Sequence, residues 1–80
     1  MSSADADNLA RELHRRATRL TELHAKPDSP TTTITHVHGE VIGLCGALGI
    51  LLGGTVQGGT ADTRGADYYQ QWLKRQPPAG

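Results

Sequence analysis

His36, His38 and Glu40, each two residues from the next, are where side chains of this chain could first do chemistry. On a strand they would share one face and aim two imidazoles and a carboxylate at one ion, a donor set that suits zinc. A zinc site needs a further ligand from elsewhere, and Cys45, His14 and His24 have no spacing that recommends them. The trio therefore reads as a polar collar, and no metal or cofactor is assigned. Cys45 is the next candidate, as a thiolate nucleophile activated by a neighbouring imidazole. Its neighbours Leu44, Gly46, Ala47 and Leu48 are apolar or small, which raises a thiol pKa and makes it a small hydrophobe instead. The glycines of Gly43-x-x-Gly46-x-x-Gly49 lack both the Lys-Ser/Thr ending and the G-x-G opening of phosphate-cradling loops. No catalytic residue is assigned, and the chain reads as non-enzymatic.

Composition narrows the partners. Eight basic and eight acidic residues cancel, and no segment gathers the Lys/Arg excess that phosphate neutralisation requires, so nucleic acid is not expected as a ligand. A single cysteine excludes an internal disulfide. Eighty residues without phenylalanine form one small domain at most, and help from further copies or partners is expected.

The elements that must position these residues read as mainly α. Residues 1–26 predict an amphipathic helix: Ser2 or Ser3 can cap it, Asp5 and Asp7 suit its positive end, and Pro27 stops it. Ala6, Leu9, Ala10, Leu13, Ala17, Leu20 and Leu23 recur at spacings of three and four. That stripe is narrow, closer to a two-helix coiled-coil seam than to a broad core face, and Arg16 interrupts it. Leu9, Leu13, Leu20 and Leu23 are thus expected to serve self-association or docking. Residues 27–34 predict a linker, and the Thr- and Ile-rich stretch 32–38 leaves a short strand as the alternative to an early helix start.

Between Glu40 and Asp62 no charged residue occurs, and VIGLCGALGILLGGTV is apolar sequence broken repeatedly by glycine. Each internal glycine costs a helix in water up to roughly 1 kcal/mol relative to alanine, yet small residues are favoured where helices pack in membranes. A helix over 35–57 is expected, covered by lipid or by protein. Gly39, Gly43 and Ala47 repeat every four residues, as do Gly49 and Gly53, which flattens a face for homo-oligomer formation. Sixteen residues, Val41 to Val56, span only about 24 Å against a hydrocarbon core of roughly 30 Å, so a membrane-spanning helix would be short.

After a linker at 58–65, residues 66–76 predict a short amphipathic helix that collects the aromatic residues, followed by a tail at 77–80. Tyr68, Tyr69 and Trp72 beside Lys74 and Arg75 suit a membrane interface; docking of Tyr69, Trp72 and Leu73 on the N-terminal helix is the alternative. The sequence thus leads to a small membrane-associated protein that self-assembles through the central helix. The competing expectation is a soluble, cytoplasmic structural or adaptor subunit whose apolar helix is buried among copies or in a larger protein assembly.

Overall fold

The computed structural model describes residues 3–77 and consists of three helices: α1 (Ser3–Ala25), α2 (Thr31–Leu51) and α3 (Thr60–Arg75). The chain is mainly α, and among the described residues no strand is present. Ser3 is already helical, so the cap expected at Ser2 lies outside the described residues.

The segment 32–38 resolves to helix, and α2 begins at Thr31, directly after an extended Pro30. Ile34 N donates to Pro30 O at 3.1 Å, which closes the first turn. The run from Thr31 to Thr35 is β-branched throughout and would prefer a strand, but tertiary packing overrides that preference. Ile34, Val37, Val41, Leu44, Leu48 and Leu51 follow one another at alternating steps of three and four, a seam that faces the other helices. Each of them is buried or half-buried.

α2 stops at Leu51 rather than near residue 57. Gly53 takes φ +90° and donates to Ile50 O at 2.9 Å, while Gly54 donates to Gly49 O at 2.8 Å. That pair of reversed bonds is the Schellman ending, which needs a residue free to adopt the left-handed conformation. Thr60 Oγ1 accepts from Thr55 N at 2.8 Å and so ties the following turn to the start of α3. α3 therefore starts at Thr60, six residues before the expected 66, with Asp62 in its first turn where the helix dipole favours an acid.

α2 occupies the middle, with α1 and α3 packed along it and α1 and α3 touching only slightly. The Cα trace measures 41 × 36 × 15 Å, a flat arrangement rather than a closed bundle. Ala6, Ala10 and Leu13 from α1, Leu48 from α2 and Trp72 from α3 form the core cluster. Val41, Leu44, Leu51 and Leu73 surround it, half-buried.

Candidate functional site

α2 presents two different sides, and the small residues divide between them. On the inner side the backbones of α2 and α3 touch. A Cβ on Gly49 would lie 1.5 Å from Ala61 O, and one on Gly65 would lie 2.0 Å from Cys45 O, so only glycine fits at either place. Gly53 serves as the helix terminator described above. On the outer side, a Cβ on Gly39 or Gly43 would meet nothing within 4 Å, and Ala47 is exposed. Ile42 and Ile50 stand beside them, 52% and 51% exposed. The five residues grouped by spacing alone therefore separate into Gly39, Gly43 and Ala47 facing outward, Gly49 facing α3, and Gly53 ending the helix.

The leucines of α1 point inward. Leu13 is buried, Leu9 packs against the core cluster, and Leu20 and Leu23 are half-buried. At the seam position that Arg16 interrupts, its Nε lies 3.0 Å from Glu40 Oε2 as an ion pair, without the alignment of a hydrogen bond. Arg16 Nη2 also reaches Glu12 Oε1 at 3.4 Å. The arginine thus crosses from α1 to α2 and pairs with the only carboxylate of α2.

The aromatic cluster holds α3 to α1. Trp72 is 5% exposed within the core, and its ring lies 5.5 Å from that of His14. Tyr68 OH donates to Asp7 Oδ1 at 2.5 Å, and Arg75 Nη2 reaches the same oxygen at 3.2 Å. Those contacts hold the Asp7 carboxyl below its ordinary pKa, the Tyr68 hydrogen bond contributing most. Tyr69 OH pairs with His14 Nδ1 at 3.0 Å, and burial pushes the Tyr69 phenol up. Lys74 stays exposed, while Arg75 lies over the Tyr68 ring at 5.6 Å. Both tyrosines, Trp72 and Arg75 are thus engaged within the chain.

The chemistry-bearing residues separate. Helical geometry advances about 100° per residue, so His38 projects to a different side from His36 and Glu40. His36 Nε2 and Glu40 Oε1 approach to 3.6 Å one turn apart, and the strand that would have aimed three ligands together is not formed. Among the described residues no group of three His, Cys, Asp or Glu side chains is placed to hold a metal ion. Cys45 Sγ donates to Asp62 O at 3.5 Å. Burial, and then the charge of Asp62, push its thiol up, the opposite of nucleophile activation. Beside it lies a shallow apolar depression of about 410 Å³, lined by Val41, Ile42, Cys45, Asp62 and Ala66.

Two features escaped sequence reasoning. The glycine at 65 gave no signal by itself, although Ala61 and Gly65 at a spacing of four match the small-residue pattern of α2. The bonds from Asp7 to Tyr68 and Arg75 join residues more than sixty positions apart, which local patterns do not reveal. No protein-family model, curated protein or solved structure matches this chain. Its functional reading therefore rests on the geometry of α2.

Proposed function

We propose that the chain is a small non-enzymatic assembly module that self-associates through the outer face of α2. One observation carries this reading: the fold leaves Gly39, Ile42, Gly43, Ala47 and Ile50 uncovered together on its most apolar helix. An apolar surface flattened by glycine gains by meeting another surface, since close backbone approach brings van der Waals contact and the exclusion of water. A soluble protein neighbour suits the packed state best, because α1 and α3 bring Arg16, Asp62 and Arg64 alongside α2, and Glu40 sits on α2 itself. Hydrocarbon would have to accept those charges.

A membrane reading has its own support. α2 runs for 21 residues and has the length and composition of a spanning helix, with a mean hydropathy of 1.4 in its most apolar window. At about 1.5 Å per residue it measures roughly 31 Å, enough for a hydrocarbon core of about 30 Å. To span, α2 would have to leave α1 and α3.

Replacing both Gly43 and Ala47 with leucine places bulk where the second surface would approach. Light scattering of the purified chain should show oligomers that the double variant loses, with helix content retained by circular dichroism. A monomeric parent chain would end the self-association reading. Alkaline washing of cell membranes then separates the two settings: a protein-covered module is released, whereas a spanning helix stays with the lipid.

A further inference from the structure

We propose that α3 is a hinged cover, latched to α1 at Asp7, whose release bares the inner apolar side of α2 and α1. The geometry of its two ends carries this inference. At the near end, α3 joins α2 through residues 53–59, of which four are glycine, and Gly53 and Gly59 take φ values of +90° and +73°. The glycines of this segment can take up the backbone changes of a hinge once the bonds that close the turn, Thr55 N to Thr60 Oγ1 and Gly59 N to Val56 O, give way. Arg64 Nη1 donates to Leu52 O at 2.9 Å, and the contacts of Ala61 with Gly49 and Gly65 with Cys45 keep this end close to α2.

The far end is held differently. There α3 meets α1 through Trp72, with Tyr68, Tyr69 and Leu73 packed beside it on the core cluster, and through three polar links: Tyr68 to Asp7, Arg75 to Asp7 and Tyr69 to His14. Asp7 receives two of the three, so one carboxylate secures most of the polar closure. Beneath it lie Ala6, Ala10, Leu13 and Leu48, each no more than 2% exposed. Swinging the far end outward exposes Trp72 and this cluster while the seam between α1 and α2 stays intact. Ile42 borders both the outer face and the depression beside α3, so an open α3 would enlarge the surface for assembly; that consequence rests on the function proposed above, whereas the hinge does not.

Thiol labelling in a Cys45→Ser background separates cover opening from unfolding. Ala10→Cys places a thiol in the cluster under Trp72, and Val37→Cys places one at a buried site of α2 outside that cluster. Adding Asp7→Asn, or the milder Tyr68→Phe that removes only the hydroxyl, should speed labelling at position 10 roughly tenfold while position 37 keeps its rate. Equal acceleration at both positions would mean global unfolding, and no acceleration at either would mean that Asp7 latches nothing; each result overturns the proposal. Light scattering of the same variants measures assembly separately, so a chain that fails to self-associate can still show, or fail to show, the opening of α3.

Discussion

The two sides of α2 are built from the same small residues and do opposite work. Gly49 on the inner side is mandatory, because Ala61 O occupies the place of its Cβ, whereas Gly39 on the outer side faces open space. Glycine lowers the stability of a helix wherever it stands, by up to roughly 1 kcal/mol relative to alanine. On the inner side the close approach of α3 offsets that cost. On the outer side nothing within the chain does, and this asymmetry motivates a partner for the outer face.

Substitution at the two glycines tests the contrast most strongly. Gly49→Ala is expected to destabilise the fold by about 3 kcal/mol, read as a lower urea midpoint, because backbone rather than a flexible side chain must move. A cost below about 0.5 kcal/mol would mean that α3 does not sit against α2 as described.

Acidification gives a smaller effect and addresses the latch. Tyr68 and Arg75 from α3 and Arg11 from α1 face Asp7, and together they hold its folded pKa below the ordinary value of about 3.9. Because the folded pKa is depressed, the stabilisation is complete above that ordinary value and disappears as pH falls through the folded one. Near-ultraviolet circular dichroism of Trp72 should therefore change as pH falls below the ordinary carboxylate value in the parent chain. In Asp7→Asn this step should be absent. An identical step in the variant would assign the transition to other carboxylates.

The smallest effect has the opposite sign. Gly39→Ala should raise the stability of the monomer by about 0.5–1 kcal/mol, since the new methyl meets no neighbour and helix propensity improves. If the same change weakens association seen by light scattering, it sharpens the assignment of the outer face. A loss of monomer stability would show that position 39 is covered within the chain.

Much of the fold is legible because helix periodicity is local. The α1 stripe from Ala6 to Leu23, the stop at Pro27 and the gathering of Tyr68, Tyr69 and Trp72 on a terminal helix are read directly from spacing. The start of α2 is also within reach: Ile34 and Val37 continue the seam of Val41, Leu44, Leu48 and Leu51, but the threonines beside them suggest a strand. Local propensity competes there with a pattern that acquires meaning only when a second helix lies against it. The extent of α3 is harder, since Thr60 to Gly65 contains one alanine and no large apolar residue to announce a helix.

The candidate site divides along the same line. The sequence by itself pointed to a glycine-rich helix, free of charge after Glu40, and raised the question of what covers it, because hydropathy and the cost of glycine are properties of the residues. Tertiary structure alone decided which glycine meets which surface. Gly43 and Gly49 differ by six residues, which places them on different sides of α2, but only the position of α3 makes one of those sides an interior and leaves the other open. Likewise, whether Tyr68 and Arg75 face lipid or Asp7 depends on where the chain folds back, and long-range packing sets that direction.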